Sequence, residues 1–500
     1  MATFPDRYDI AIVGGGINGA GIACDAAGRG LSVLLVESGD LAGATSSASS
    51  KLIHGGLRYL EQWEFRLVRE ALAEREVLLA KAPHLVRPQR FVLPHVASQR
   101  PRWMIRLGLF LYDHLSRRTA IPGSHAIDLR GAPAGRPLKS GYRHGFAYWD
   151  CRVDDARLVV LNARAAADRG ADIRTRTRLA GARRTAEGWS VDIRDEAGGQ
   201  TDTVRARALV NAAGPWADSV LAAAGGNAIA RLRRVKGSHL VVPRIAGTDD
   251  AYILQQPDGR VVFALPFEDD FTLIGTTDVP FEGDARDIAP DADETAYLLA
   301  SVNRFFAVAL GEADIVWRFA GVRPLFDDEA ASASAVTRDY RLVLSEPDEG
   351  APLLSVFGGK ITTYRCLAEE ALARLGPAFP GMSPTWTAKA PLPGGDMPDG
   401  NFEVFAAALD RHFPAFDRRE LRAMARRHGT LIEGLLGTAR KPADLGRLLG
   451  GGLYEREVEY LRDREWARTA DDILWRRTKA GLHMTPAERD AAAPLIEAIL

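Results

Sequence analysis

A glycine-rich turn near the amino terminus constrains the fold of this chain more than any other feature. Its residues, Gly14-Gly15-Gly16-Ile17-Asn18-Gly19, match the pattern G-x-G-x-x-G and directly follow an apolar run at residues 10–13. A second apolar run, at residues 31–36, ends in Glu37, 18 residues after Gly19. The pattern alone is weak in a chain with 48 glycines. Its position between a strand and a helix, with an acidic residue at this distance, predicts a β-α-β unit that binds a dinucleotide.

The chemistry of such a turn explains the residue types. Glycines allow a tight turn whose backbone approaches a pyrophosphate, and the positive end of the helix that follows favours this anion. Glu37 can accept hydrogen bonds from the adenosine ribose. The alternative is a glycine-rich turn that binds no ligand, and we favour the dinucleotide site because strand, turn, helix and acidic residue occur in the expected order.

Two further segments favour FAD over NAD. Residues 45–51 are rich in hydroxyl groups, and the sequence Gly-Gly-Lys-Ile-Thr-Thr at 358–363 joins an apolar run at 353–357 to a stretch with helical spacing. A helix N-terminus there could face the pyrimidine edge of a flavin and stabilise the anion formed on two-electron reduction. The residues predicted to contact FAD are Gly14, Gly15, Gly16, Ile17, Asn18, Gly19, Glu37, Ser38, Thr45, Ser46, Ser50, Lys51, Gly214, Trp216, Gly359, Lys360 and Thr362.

Composition limits the classes of partner. The chain has 64 Lys and Arg residues against 65 Asp and Glu residues, so it lacks the basic excess of a general nucleic-acid binder. Cys24, Cys151 and Cys366 are far apart and show no metal-binding spacing or disulfide framework, which fits a reducing compartment. We see no signal-like segment at residues 1–8 and no apolar stretch of bilayer-spanning length. We therefore expect a soluble or peripheral protein on the cytoplasmic side, with no metal site.

The apolar runs predict three regions. Residues 1–390 combine a Rossmann-like α/β FAD-binding domain with an antiparallel β-sheet substrate domain, the latter at roughly 75–200 and 235–340. Short runs separated by turns, at residues 239–243, 252–256, 261–266 and 271–275, indicate the antiparallel sheet. Residues 391–400 have the composition of a linker. Residues 401–500 are expected to form an all-α C-terminal domain, in which Thr485 and Glu488 have capping-box spacing.

Longer segments resemble the aerobic, FAD-dependent glycerol-3-phosphate dehydrogenases, in the flavoprotein group that includes D-amino acid and glycine oxidases. The most specific are SSKLIHGGLRYLE at 49–61, GVRPL at 321–325 and FGGKITTYR at 357–365. Other matching segments extend the resemblance over nearly the whole chain, at 14–30, 153–159, 210–216, 235–243, 274–280, 337–340 and 470–482.

The resemblance carries several implications. It implies non-covalently bound FAD, conversion of sn-glycerol 3-phosphate to dihydroxyacetone phosphate, and transfer of electrons to ubiquinone or another membrane quinone. It further implies peripheral attachment to the cytoplasmic face of the inner membrane, and it suggests a homodimer.

The predicted substrate site is cationic. A phosphate dianion favours guanidinium forks over a single ammonium group. Arg58, Arg323 and Arg338 lie in segments that resemble the family, and Lys360 lies beside the predicted flavin helix. We predict that some of these arginines bind the phosphate, with Tyr59 in the pocket wall, and that Lys360 and a neighbouring arginine polarise the C2 oxygen. The alternative for each is a solvated surface group, or a core aromatic for Tyr59.

The reaction also needs a hydride acceptor and a proton acceptor. Flavin N5 would take the hydride, and His54 is the first choice as general base because an imidazole titrates near the working pH. His239 is the second choice. A lone histidine beside glycines can instead be structural. The predicted catalytic residues are therefore His54, His239, Arg323 and Lys360.

Residues 100–118 allow two interpretations. Trp103, Leu107, Phe110 and Leu111 recur at helical spacing among several arginines. A basic amphipathic helix of this kind can lie in a membrane interface, or it can pack its apolar side on a protein core. Three alternatives to a quinone-linked dehydrogenase also stay open: an oxidase that transfers electrons to oxygen, an amino-acid oxidase of the same fold, and a flavin-binding protein without turnover.

Overall fold

The computed structural model describes residues 7–96, 100–116, 121–226, 232–245, 247, 249–326, 339–345 and 350–500. Within these ranges the strands are β1 (Arg7–Val13), β2 (Val33–Val36), β3 (Leu52–Ile53), β4 (Val86–Pro94), β5 (His125–Asp128), β6 (His144–Val153), β7 (Asp172–Arg174), β8 (Thr177–Thr185), β9 (Gly188–Asp195), β10 (Thr201–Asn211), β11 (Leu232–Pro243), β12 (Ala251–Gln255), β13 (Val261–Phe267), β14 (Phe271–Gly275), β15 (Val279–Pro280), β16 (Trp317–Phe326), β17 (Arg341–Leu344), β18 (Leu353–Phe357), β19 (Leu448–Gly450) and β20 (Leu453–Tyr454).

The α-helices are α1 (Ile17–Gly28), α2 (Phe65–Lys81), α3 (Arg102–His114), α4 (Asp155–Ala167), α5 (Ala217–Ala223), α6 (Ala292–Phe305), α7 (Tyr364–Leu375), α8 (Phe402–His412), α9 (Arg418–His428), α10 (Ile432–Leu436), α11 (Glu455–Glu465) and α12 (Pro486–Glu497). They cover the two large sheets and form most of the C-terminal region.

The first sheet is the predicted dinucleotide-binding layer. Its strands run in the order β17-β18-β10-β1-β2-β7, and β1 pairs in parallel with both β2 and β10. Ile10 and Ile12 of β1 pack on the side of α1, α4 and α7, whereas Ala11 and Val13 pack on the opposite side. Both faces of β1 are therefore buried, which explains its continuous apolar run. The Rossmann-like fold class is confirmed.

The second sheet is the predicted antiparallel layer. Its strands run in the order β15-β11-β14-β13-β12-β4-β6-β3, with β16 added beside β11 and β5 beside β6. The four runs between residues 239 and 275 form neighbouring antiparallel strands, as expected. One pair, β12 with β4, is parallel.

The boundary between the two sheets differs from the sequence-based one. We assigned residues up to about 200 to the substrate region, but β7, β8 and β9 belong to the first sheet. The β8–β9 hairpin extends this sheet through β10, and it buries Trp189 against the face that carries Ala11 and Val13. The hairpin belongs to the first sheet because its side chains are buried on that face. The composition of the turns does not reveal this burial.

Residues 391–400 are packed and do not form an extended linker. Leu392 and Met397 are buried, and the Leu392 N–H donates to the Lys81 carbonyl at 2.9 Å. Gly394 has φ +80°, and a Cβ there would lie 2.2 Å from the His428 carbonyl oxygen. The glycines of this segment thus allow close backbone contact with the ends of α2 and α9.

The C-terminal region is mostly helical, as predicted, with one short β19–β20 hairpin. The predicted capping box is present, because the Glu488 N–H donates to Thr485 Oγ1 at 3.2 Å and the Thr485 N–H donates to Glu488 Oε2 at 2.7 Å. Buried ion pairs join this region to the first sheet. Arg157 of α4 pairs with Glu465, and Arg477 donates to Asp40 at 2.7 Å.

Candidate active site

The glycine turn after β1 brings backbone segments into close contact. Gly14 has φ +114°, and a Cβ there would lie 2.5 Å from the Ala212 carbonyl oxygen. A Cβ on Gly19 would lie 1.9 Å from the Gly14 carbonyl oxygen. Only glycine therefore permits this close approach of β1, α1 and the end of β10, which is the arrangement that a dinucleotide site requires.

Glu37 lies at the end of β2, as predicted, beside this turn. Its carboxylate accepts hydrogen bonds from the N–H groups of Gly15 and Gly39, both at 2.7 Å. Burial raises the pKa of the Glu37 carboxyl above its ordinary value, although the two N–H donors act in the opposite direction. The acidic residue is thus fixed next to the turn, where an adenosine ribose would lie.

The early and late glycine turns meet, although 340 residues separate them. Asn18 Nδ2 donates to the Gly358 carbonyl at 3.1 Å, and Gly358 and Gly359 both have positive φ. Asn18 Oδ1 is buried and has no hydrogen-bond donor among the described residues. This unused acceptor, located where the two glycine turns meet, fits the FAD that the sequence predicts.

A cavity of about 1270 Å³ opens from this junction, between the two sheets. Its wall contains the anion-binding and base candidates of the sequence together with part of the predicted cofactor set: Ile17, Thr45, Ser46, Ser50, His54, Arg58, Tyr59, His239, Arg323, Gly359, Lys360 and Thr362. Its size exceeds that of an ordinary small-ligand pocket, which is typically about 300–1000 Å³, and leaves room for a flavin ring together with a substrate.

Arg323 on β16 is held by side chains of the segment that follows β14. Its guanidinium pairs with Asp278 and donates to Thr276 Oγ1 at 2.9 Å. Sequence analysis did not identify Asp278 or Thr276 as site residues. In the sequence these residues belong to a Thr-Thr-Asp tripeptide at the end of a strand. The tripeptide lies next to Arg323 only because β11 pairs with both β14 and β16.

His239 on β11 is buried in the cavity wall. Its Nε2 lies 2.9 Å from Ser50 Oγ, and its ring stacks on Phe319 with 4.9 Å between ring centroids. Burial, with the charges of Arg323 and Lys51, lowers the pKa of His239 well below its ordinary value. The imidazole is therefore neutral near neutral pH, and it is a weaker base than an ordinary histidine.

His54, Tyr59 and Lys360 lie close together on the side of the late glycine turn. The His54 N–H donates to Thr362 Oγ1 at 3.3 Å, which fixes the backbone of one histidine candidate against this turn. The Lys360 ammonium lies 3.8 Å from the centre of the Tyr59 ring, a cation–π contact. Arg58 Nη2 donates to the Gly259 carbonyl at 3.3 Å, which places Arg58 beside the turn between β12 and β13.

Several predicted cofactor residues lie outside this cavity wall. The glycines of the first turn, Asn18 and Glu37 surround the α1 N-terminus next to it, and Ser38 is exposed beyond Glu37. Gly214 begins the turn after β10, and Trp216 Nε1 donates to Asp284 at 3.2 Å.

Lys51 is not part of the wall of the first cavity. The Lys51 ammonium is buried, pairs with Asp155 at 2.7 Å, and lines a second cavity. Lys51 has φ +55°, in the left-handed region, and its ammonium also donates to the Ser47 carbonyl at 2.8 Å. Arg338 lies outside the residues that the structure describes.

The cavity wall also contains polar and aromatic residues that sequence analysis did not select, among them Tyr148, Gln255, Gln256 and Phe263. They lie on β6, on β12 and the turn after it, and on β13. An alternating strand pattern indicates which residues share a face, but it does not reveal which face borders a ligand.

Comparisons with known proteins agree with this arrangement. Residues 9–365 match the family model described as FAD dependent oxidoreductase, and residues 385–499 match the C-terminal domain of alpha-glycerophosphate oxidase. A glycerol-3-phosphate dehydrogenase of Pseudomonas aeruginosa is 55% identical, covering 98% of this chain and 94% of that protein. A D-erythritol 1-phosphate dehydrogenase of Brucella abortus is 52% identical, covering 97% of both.

A solved structure is also similar along most of the chain. The glycerol-3-phosphate dehydrogenase from Bacillus halodurans, complexed with FAD, has a TM-score of 0.77 and 26% identity, covering 98% of this chain and 94% of that one. The family model spans well over half of the residues and coincides with the two sheets that enclose the cavity. The chain therefore belongs to the FAD-dependent oxidoreductase family.

Proposed function

We propose that this protein oxidises sn-glycerol 3-phosphate to dihydroxyacetone phosphate and passes the electrons to a membrane quinone. The proposal rests on one observation above all: the large cavity gathers Arg58, Arg323, Lys360 and two histidines beside the predicted flavin turn. The Pseudomonas aeruginosa relative, named a glycerol-3-phosphate dehydrogenase, supports the choice of substrate.

The cations of the cavity suit a phosphate ester. At neutral pH a phosphomonoester carries about −1.5 to −2 charges, and charge-assisted hydrogen bonds to it contribute roughly 1.5–3 kcal/mol each. In this proposal Arg323, already oriented by Asp278 and Thr276, and Arg58 bind the phosphate. Lys360, at the start of the turn before α7, polarises the C2 oxygen.

Oxidation of the C2 alcohol removes a hydride from carbon and a proton from oxygen. FAD, when bound, supplies the two-electron acceptor for the hydride. The protein must supply the proton acceptor, and His54 and His239 are both in the cavity wall. His239 has the lowered pKa of an imidazole that stays neutral, whereas His54 is fixed by its backbone next to Thr362. We keep His54 as first choice and His239 as second.

The substrate assignment has a direct test. The FAD-loaded protein is mixed anaerobically with sn-glycerol 3-phosphate, and the visible absorption of the oxidised flavin is followed. We expect full bleaching within one turnover and formation of one dihydroxyacetone phosphate per flavin. A flavin that stays oxidised in the presence of saturating substrate would refute the proposal.

D-erythritol 1-phosphate is a second candidate substrate, because the Brucella abortus relative named for it is nearly as similar as the glycerol-3-phosphate dehydrogenase. Both compounds combine a phosphate with a polyol, and the same cations suit either. The ratio of kcat/KM for the two compounds discriminates between them. A higher value for the four-carbon substrate would replace our first choice.

The exposed face of helix α3 is evidence for a membrane-bound electron acceptor. Its exposed face carries large apolar side chains, with Trp103 66%, Leu107 50% and Phe110 48% exposed. The alternative, in which these side chains pack on a protein core, does not fit this exposure. Trp63, 79% exposed, follows the short turn Leu57–Gln62 that contacts α3. No helix in the described part of the chain has the length and apolarity to span a bilayer.

The same helix borders the cavity. Pro101 and Met104, at the start of α3, belong to the cavity wall. A surface that binds the acyl region of a membrane would thus bring a quinone to the mouth of the flavin site, at the cytoplasmic face of the cytoplasmic membrane. We propose quinone over oxygen as the acceptor for this reason. Hydrogen peroxide formed in proportion to substrate during aerobic turnover would favour the oxidase.

A further inference from the structure

A second cavity, of about 1300 Å³, lies between the C-terminal region and the rest of the protein. Its wall is formed by α9, by the strands β4 and β6, and by the turn between β13 and β14. It has Ser50 in common with the first cavity, and the substrate-binding candidates Arg58, Arg323 and Lys360 lie in the first one. The reaction proposed above gives this cavity no role.

Four arginines converge on it from both sides of the junction. Arg87 and Arg152 are directly opposite each other in the antiparallel pair β4–β6, so their side chains share one face of the sheet. Arg422 and Arg426 are one helical turn apart on α9 and line the same cavity. Each of these pairs places like charges next to each other, which is unfavourable without a compensating anion.

Carboxylates of the protein compensate part of this positive charge, and those that line the cavity are Glu76, Asp154, Glu268, Asp269, Asp399 and Glu403. Glu403 pairs with both Arg422 and Arg426, but it is 62% exposed, so water screens it. Arg152 donates to the Pro266 carbonyl at 3.3 Å, and its Nε is buried without a hydrogen-bond acceptor among the described residues. A partly buried guanidinium with a buried, unused donor is a costly arrangement in a folded protein.

The electrostatics of the cluster agree with the geometry. Burial and the charge of Arg87 lower the pKa of Arg152 to about 9, against the weaker effects of Asp269 and Glu268. Burial and the charge of Arg87 also lower the pKa of Arg426 to about 9. Glu403 acts in the opposite direction, and Arg152 and Arg422 lower the pKa further. The positive charge of these groups is therefore unfavourable in the protein alone, and a bound anion would relieve it.

We propose that this second cavity is a binding site for a small multivalent phosphate, such as a phosphorylated metabolite, with Arg87, Arg152, Arg422 and Arg426 as its ligands. Arginine forks match the geometry of a phosphate group. The cleft is concave and lined by guanidinium groups, so it suits a compact anion better than a protein surface. This site does not depend on the substrate proposed above, so an experiment can refute either proposal without affecting the other.

Calorimetric titration of the FAD-loaded, full-length protein with pyrophosphate tests the proposal, at constant ionic strength set with chloride. Arg323→Met removes a ligand of the first cavity, and we expect binding at the second to persist in this variant. Arg152→Met should weaken that binding by about tenfold to a hundredfold, as expected for a lost charge-assisted hydrogen bond. Arg87→Gln, which replaces a half-buried side chain and is expected to preserve the fold, should weaken it about tenfold.

Two controls test whether binding is specific to these arginines and to phosphate. Arg286→Met, an exposed arginine outside both cavities, should leave pyrophosphate binding unchanged. Citrate, a multivalent anion without phosphate, should bind at least tenfold more weakly than pyrophosphate. Equal affinities of wild type and Arg87→Gln, loss of all binding in Arg323→Met, or citrate binding as tight as that of pyrophosphate would each overturn the proposal.

Discussion

Arg323 illustrates what a single residue contributes to the first cavity. Its guanidinium is pre-oriented by Asp278 and Thr276, so little side-chain entropy is lost when an anion binds. The prediction that this arginine lines the site came from its sequence segment. Its partner Asp278 could not be predicted, because the contact depends on two strands that are both neighbours of β11.

We expect Arg323→Met to lower kcat/KM for sn-glycerol 3-phosphate by roughly tenfold to a hundredfold, since one or more charge-assisted hydrogen bonds are lost. Steady-state kinetics with an artificial electron acceptor measures this change. Arg286→Met, which removes an exposed arginine 72% accessible to solvent, serves as the control and should behave as wild type. Unchanged kinetics in Arg323→Met would exclude this residue from substrate binding.

His84 permits a second prediction, on stability. Burial, with the charges of Arg157, His428 and Arg426, lowers the pKa of His84 from 6.5 to about 3. The unfolded chain takes up this proton near pH 6.5, whereas the folded protein does so only near pH 3. Between these values the unfolded state binds more protons, so the free energy of unfolding falls as the pH decreases.

We therefore expect His84→Gln to reduce the acid sensitivity of the protein. At pH 5 the histidine costs about 2 kcal/mol relative to pH 7, and the glutamine variant lacks this cost. Urea unfolding at pH 7 and pH 5 provides the comparison, with the difference between the two pH values as the quantity of interest. An equal difference in wild type and variant would show that His84 does not titrate in this way.

Sequence patterns predicted several secondary-structure elements, but they did not reveal how every element packs. Strand β1 was predictable because both of its faces are buried, so its apolar run is continuous. Helix α3 was predictable as a helix, but its sequence did not reveal whether protein covers its apolar face. Residues 391–400 have the glycine and proline content of a linker, but this composition did not reveal that the glycines allow close packing.

The exposed apolar face of α3 is expected to bind the membrane. Because Trp103 and Phe110 are largely exposed, replacing both by Ser should leave the thermal midpoint nearly unchanged and reduce co-flotation with liposomes that contain anionic lipid. Leu448→Ser is the matched control, since Leu448 is 52% exposed on a different element. If the double variant floated as well as wild type, α3 would not be the membrane-binding surface.

At the scale of the whole molecule, the C-terminal region is linked to the flavin site by charge. Arg477 is fully buried and donates to both carboxylate oxygens of Asp40 at 2.7 Å. Asp40 lies three residues after Glu37, and Ala42 donates its N–H to the Gly15 carbonyl at 3.0 Å. The ion pair thus supports the loop that packs on the first glycine turn. No local sequence pattern could indicate this contact, because more than 400 residues separate the two partners.

We expect Arg477→Met to destabilise the protein by roughly 1.5–3 kcal/mol, because Asp40 loses charge-assisted hydrogen bonds but keeps its ion pair with Arg476. The same change should weaken FAD binding, since the loop beside Gly15 loses support, and equilibrium dialysis of FAD measures this effect. The double variant Asp40→Asn with Arg477→Met removes both charges and should recover part of the lost stability. Normal FAD affinity in Arg477→Met, together with a lowered thermal midpoint, would mean that the ion pair holds the two regions together without supporting the cofactor site.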